Sequence, residues 1–194
     1  MELCGKGGPP GLEKSIGQFA LVAYIPDPLA RFLDDLRLEL TPDCKPHAHV
    51  TVLPPRPIDC DANVAEMVRQ IAEDIKGFAP FRIDLGEISI FEASHVVYLG
   101  LGRGMSELRY LYRTLNRECL KYAEPFPYHP HITIAQNIPP EDAARIAVIA
   151  KQKWADYDGP RSFMVSTLSL VQHVAPAIWA DVAALPLGVE VAVG

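Results

Sequence analysis

Two short stretches of this chain carry the residue types that could do acid–base chemistry, and they are one pattern written twice. His47-Ala48-His49-Val50-Thr51-Val52 returns as His129-Pro130-His131-Ile132-Thr133-Ile134, with His131 standing 82 residues after His49. The two copies hold four of the six histidines. Strand alternation puts His49 and Thr51 on one face and Val50 and Val52 on the other. The second copy separates His131 and Thr133 from Ile132 and Ile134 in the same way. Each copy therefore presents an imidazole beside a hydroxyl, backed by β-branched residues that suit a strand.

An unperturbed imidazole titrates at about 6.5, so near neutrality one histidine can be neutral while its counterpart is charged. Placed on opposite sides of a phosphorus atom, the neutral one takes a proton from the attacking hydroxyl or water and the charged one protonates the leaving oxygen. Thr51 and Thr133 can donate hydrogen bonds to the non-bridging oxygens, where charge builds in the transition state. This chemistry requires no metal or cofactor, and it expects reactive nitrogens roughly 6–8 Å apart. Two other readings use the same residues. A single His-x-Thr on a strand is usually structural, but a matched repeat is hard to assign to packing. A metal site could use His47, His49, His129 and His131 together. That arrangement normally adds a carboxylate ligand, the nearest being Asp43 and Glu124, and it leaves the threonines without a role. His95 and His173 read as incidental. Serine and cysteine nucleophile motifs, glycine-rich phosphate loops and Walker patterns are absent from the sequence.

The bulk properties limit the partners. The chain has 194 residues, 49% hydrophobic and 22% charged, with a net charge of −6. That is ordinary globular composition, long enough to bury a core. The acidic balance offers no surface for gripping long nucleic acid, so a phosphate substrate has to be met locally. Cys4, Cys44, Cys60 and Cys119 lack metal-binding spacing and suggest reduced thiols in a cytoplasmic protein. No apolar run approaches the ~18 residues of a membrane span, and the Gly/Pro-rich start has no secretory h-region. A monomer is expected.

The elements that must position the two motifs follow from periodicity. Residues 1–16 read as a flexible tail and 17–188 as a single body. Phe19 to Ile25 reads as a buried strand. Asp27-Pro28 starts a helix with Leu29, Phe32, Leu33, Leu36 and Leu40 on one face. The first motif strand is expected to end at Leu53-Pro54-Pro55-Arg56-Pro57. Asp61 to Lys76 reads as an amphipathic helix closed by Gly77. Phe81–Ile90 switches its apolar positions from odd to even at Gly86-Glu87, which predicts a β-bulge. A strand follows over His95–Leu101, then a helix over Ser106–Leu120. The Pro-rich Pro125-Phe126-Pro127-Tyr128 leads into the second motif. A helix from Pro139-Pro140 to about Gln152 and two strands, near Phe163–Val171 and Ala177–Ala183, complete the chain. The recurring order (helix, motif strand, Pro-rich break, helix, two strands) implies a duplicated α+β unit with antiparallel strands and outer helices.

Paired His-x-Thr motifs on strands, about eighty residues apart in a duplicated α+β chain, resemble the two-histidine (2H) phosphoesterase superfamily. The likeness is to its bacterial 2′-5′ RNA ligase-like and cyclic phosphodiesterase branch, and it runs from about Gln18 to Leu187. The resemblance implies a bilobal fold with two antiparallel sheets facing a central cleft. It makes His49 and His131 the catalytic histidines and Thr51 and Thr133 the phosphate-holding hydroxyls. It implies opening of 2′,3′-cyclic phosphates, or cleaving and joining of 2′-5′ phosphodiesters at RNA ends, without metal or nucleotide cofactor. A cyclic nucleotide or an RNA terminus is then the substrate. A non-catalytic nucleotide-binding module of the same fold is the other outcome. The chain departs from better-known members at Pro54-Pro55-Arg56-Pro57, where they continue with an aromatic and glycine, and at Gln136, where many place an arginine. Arg56 is a candidate for phosphate contact, and Tyr128 and Phe126 for stacking on a base.

Overall fold

The computed structural model describes residues 17–41, 47–57, 63–175 and 178–188. The N-terminal tail expected over 1–16, the start of the second helix at Asp61 and Asp43 lie outside these. So do Cys4, Cys44 and Cys60.

Among the described residues, eight strands and four α-helices follow in chain order: β1 (Phe19–Tyr24), α1 (Leu29–Leu40), β2 (His49–Arg56), α2 (Val64–Asp74), β3 (Phe81–Ile90), β4 (Val97–Leu101), α3 (Met105–Leu115), β5 (Ile132–Ala135), α4 (Pro140–Asp156), β6 (Ser162–Val165), β7 (Thr167–Ala175) and β8 (Ile178–Pro186). The strands form two four-stranded antiparallel sheets, ordered β2-β1-β7-β8 and β5-β4-β3-β6. This is the α+β architecture of paired antiparallel sheets that the repeat implies. Each motif strand is an edge strand of its own sheet, and β2 and β5 lie against each other. One hydrophobic core runs under both sheets, through Leu21, Val50 and Val52 on the first and Ile83, Leu99, Ile132 and Ile134 on the second.

The repeat is interlocked. After α2 the chain crosses into the second sheet as β3, and after α4 it returns through β6 to the first sheet as β7. The segment expected as one strand over Phe163–Val171 is accordingly two, β6 paired with β3 and β7 paired with β1. Neither sheet is complete without a strand from the other half of the chain.

Local chemistry explains the other differences from expectation. β2 does not stop at Leu53 but continues through Pro54-Pro55 to Arg56, with Phe19 opposite Arg56 and register shifts on the way. Proline removes a ladder donor, which an edge strand tolerates because one side has no strand to bond. The helix expected to Leu120 ends at Leu115, and Glu118–Leu120 forms a separate 3₁₀ turn. Asn116 stops it, since its Oδ1 accepts from the Tyr122 amide at 2.8 Å and folds the chain back. α4 runs four residues past Gln152, because Trp154 is buried and its Nε1 donates to the Gly86 carbonyl at 2.9 Å. That carbonyl belongs to the bulge, where two steps along β4 (Leu101 to Leu99) face three along β3 (Leu85 to Ile88). α2 is capped by Asn63, whose side chain accepts from the Glu66 amide at 2.9 Å.

Candidate active site

The burial of both motif strands follows the alternation that their sequences predict. Val50, Val52, Ile132 and Ile134 are buried, whereas His49, Thr51, His131 and Thr133 are only partly covered. Each motif orients its imidazole in the same way. His49 Nδ1 lies 2.8 Å from the His47 carbonyl, and His131 Nδ1 lies 2.7 Å from the His129 carbonyl. A carbonyl can only accept, so both Nδ1 atoms carry the hydrogen. The neutral rings are therefore left with a basic Nε2. The first histidine of each pair thus acts through its backbone, as the group that sets the tautomer of the second.

The surroundings differ between the two halves. In the first, α1 reaches across to hold the strand's beginning. Asp34 Oδ1 accepts from the His47 amide at 2.9 Å, and His47 has φ +102°, a left-handed conformation that costs a non-glycine residue roughly 1–3 kcal/mol. That turn aims the His47 carbonyl at His49. Asp34 also pairs with the buried Arg37 at 3.4 Å. The Tyr24 ring stands edge-on to His49, with centroids 6.5 Å apart. In the second half, Phe91 and Tyr98 stack on each other at 3.9 Å and meet the His131 ring edge-on at 4.9 and 5.5 Å. The same two rings meet His129. Thr133 Oγ1 lies 3.4 Å from His131 Nε2, beside the nitrogen left free to react.

Burial pushes the pKa of both His49 and His131 below the ordinary histidine value, only partly offset by the carbonyl bond each makes through Nδ1. Arg37 lowers His49 further, Asp34 raises it, and His131 lowers it from across the β2–β5 junction. His129 is lowered too, by burial and then by Arg109. Among the described residues no three His, Cys, Asp or Glu side chains converge as metal ligands, so the four-histidine arrangement does not form there.

Of the candidate binding residues, Arg56 is not at a substrate surface. Only 2% exposed, it donates from Nε to Pro54 O, from Nη1 to Asn116 Oδ1 and Leu120 O, and from Nη2 to Glu124 at 2.7 Å. Its Nη donors are committed to the segment before the second motif, and phosphate contact gives way to a structural role. Tyr128 does the same work from the other direction. Its ring stacks on Tyr112 at 4.2 Å and its hydroxyl donates to the Thr51 carbonyl at 2.7 Å. Phe126 is 63% exposed and is not drawn into either network. His173 is buried in β7, and His95 lies in the β3–β4 turn with φ +57°. Sequence reasoning missed Tyr24, Phe91 and Tyr98. Their signal was an aromatic on or beside the strand next to a motif strand.

A match to the family model described as the 2′-5′ RNA ligase superfamily spans residues 25–176, and so takes in both motifs and the strands that present them. The chain belongs to this superfamily of two-histidine phosphoesterases. Solved structures of similar fold include Escherichia coli LigT complexed with NADP⁺ (18% identity, TM-score 0.62, covering 89% of this chain and 98% of that one). TT0787 of Thermus thermophilus is alike at 16% identity and TM-score 0.63, over 89% and 99% of the two chains. Usb1 of Kluyveromyces marxianus is alike at 13% identity and TM-score 0.57, over 90% and 99%. No curated protein matches in sequence. Within the matched span of this 2′-5′ RNA ligase superfamily member, His49 and Thr51 lie on edge strand β2 and Thr133 on edge strand β5, with His131 immediately before it.

Proposed function

We propose that this protein opens 2′,3′-cyclic phosphates, or cleaves and joins 2′-5′ phosphodiesters at RNA ends, by metal-independent paired-histidine catalysis. The observation that carries the reading is the matched orientation of His49 and His131. Both have Nδ1 tied to the carbonyl two residues back, and both are left with a basic Nε2, His49 on β2 and His131 just before the adjoining β5. In hydrolysis, His131 Nε2 removes a proton from water as the water oxygen bonds to phosphorus. The bond from phosphorus to the 2′ or 3′ oxygen breaks, and protonated His49 delivers its Nε2 proton to that oxygen. The reverse reaction exchanges these roles. Thr51 and Thr133 hydrogen-bond the non-bridging oxygens as they gain charge. LigT has been solved with 3′-AMP, which agrees with a nucleotide-sized substrate.

A panel of 2′,3′-cyclic nucleotides, 2′-5′ dinucleotides and ADP-ribose cyclic phosphate tests the proposal. Turnover is expected in EDTA, and His49→Ala and His131→Ala are each expected to lower kcat by ~10²-fold or more with an unchanged circular dichroism spectrum. Full activity in either variant, or activity restored only by Zn²⁺, refutes it. Nucleotide binding without turnover by the wild type identifies a binding module instead.

A further inference from the structure

The face of the first sheet that presents His49 and Thr51 extends beyond them. Residues directly opposite in an antiparallel pair share a face. The register sets Tyr24 opposite His49, Val22 opposite both Thr51 and Ser169, Ala20 opposite Val171, and Val171 opposite Asp181. Asp181, on the far edge strand β8, therefore shares a face with His49. The side chains close that span, because the Tyr24 hydroxyl donates to Asp181 Oδ1 at 2.8 Å. Val22, Ala20 and Val171 form a small apolar floor between them, separate from the main core. Tyr24 is 36% exposed and Asp181 is exposed. Burial, together with nearness to Asp181, pushes the Tyr24 phenol well above its ordinary range, so it stays a donor.

We propose that Asp181, held by Tyr24, forms a nucleobase subsite that selects guanine on the nucleoside attached to the scissile phosphate. This rests on the reading of the protein as a 2H phosphoesterase acting on cyclic nucleotides. A carboxylate offers only acceptors, and the single hydroxyl beside it is already spent on one of its oxygens. The group it can take is a paired donor edge, and guanine presents one in N1–H and the N2 amine. Uracil offers a single ring N–H between two carbonyl oxygens, which the carboxylate would meet unfavourably. A second phosphate is disfavoured there by charge. One aromatic ring and one hydrogen bond separate His49 from the carboxylate, which suits the reach from a phosphate to the far edge of its own base and is too long for the sugar hydroxyls.

The test measures kcat/KM for the guanosine, adenosine, cytidine and uridine 2′,3′-cyclic phosphates with wild type, Asp181→Ala, Asp181→Asn and Tyr24→Phe. The wild type is expected to prefer guanosine over uridine by at least about tenfold, mostly through KM, as for a hydrogen bond to a charged acceptor. Asp181→Ala should bring the ratio near one. Asp181→Asn should reduce it, and Tyr24→Phe should leave part of it. Calorimetric binding of 3′-GMP and 3′-UMP to wild type and Asp181→Ala reads the subsite without turnover. If no cyclic nucleotide is turned over but 3′-GMP is preferred and the preference vanishes in Asp181→Ala, the catalytic reading fails and the subsite stands. Equal binding of the two monophosphates by wild type, or a preference that survives in Asp181→Ala, overturns the subsite.

Discussion

Replacing Tyr128 by Phe is expected to slow catalysis more than it destabilises the fold. Tyr128 lies three residues before His131, and its hydroxyl bonds the carbonyl of Thr51, two residues beyond His49. It is thus a direct tie between the two motifs, and it acts through their backbones without entering the chemistry. Phe preserves the ring that stacks on Tyr112 at 4.2 Å with an interplanar angle of 9°, so the packing is kept and one neutral hydrogen bond is lost. That loss is worth about 1–2 kcal/mol, including partial desolvation of the carbonyl. For a chain of this length it lowers Tm by roughly 2–8 °C. The catalytic effect follows from geometry. In the proposed mechanism two imidazoles act on one phosphorus and tolerate little relative displacement, and an error near 1 Å costs up to ~10²-fold in rate. We expect kcat on a 2′,3′-cyclic nucleotide to fall ~10- to 100-fold while KM changes little. NMR titration supplies a readout that simple destabilisation would not move. His131 lowers His49, so widening the gap should raise the His49 pKa, and it should not do so in a His131→Ala background. Arg37 and Asp34 act on His49 from α1 and are unaffected by the substitution. A variant with wild-type kcat and the expected fall in Tm would refute the reasoning.

Arg56→Met should unfold more readily, by about 3 kcal/mol in a denaturant titration, because it strands the largely buried Glu124 without its cation. A variant of normal stability and raised KM would instead restore Arg56 as a substrate contact. The histidines set a pH dependence whose sign is definite. His49, His131 and His129 have folded pKa values below the unfolded value, so the unfolded chain binds more protons as pH falls. Their contribution to stability is complete above about pH 6.5 and is lost progressively as pH drops below it, which Tm measured across pH 5–8 reads directly. The depressed values of His49 and His131 also place the optimum of kcat/KM on the acid side of neutrality, and an optimum above pH 8 would contradict this assignment. Gly104→Ala should destabilise by about 1–3 kcal/mol, since Gly104 has φ +92° and an added Cβ would come within 2.7 Å of Ile83 Cγ1 and 2.8 Å of the Arg82 carbonyl. A Tm unchanged from wild type would refute that.

What could be read from the sequence divides by the range of the interactions involved. The orientation of His49 and of His131 is built within three residues. An His-x-His-β-Thr-β string on a strand sets the alternation and brings the preceding carbonyl to Nδ1, so both His-x-Thr pairs were visible twice over. The bulge at Gly86-Glu87 was legible for the same reason, as a parity switch inside one strand. The exchange of β3 and β7 between the sheets left no such trace, because the choice of strand partner depends on surfaces far apart in the chain. The prolines after the first motif looked like a stop only while the edge position of β2 was unknown. Arg56 shows most sharply how residue type can mislead. An arginine in a Pro-rich stretch near the first His-x-Thr motif has the chemistry of an anion ligand, yet its seven-residue distance from His49 and its reach to Asn116, Leu120 and Glu124 make it a clamp on the loop that leads to His131. The tautomer and aim of the two imidazoles are therefore a local property of two hexapeptides. The approach of the two motifs is non-local, and Arg56 and Tyr128 both tie β2 to the segment that precedes β5.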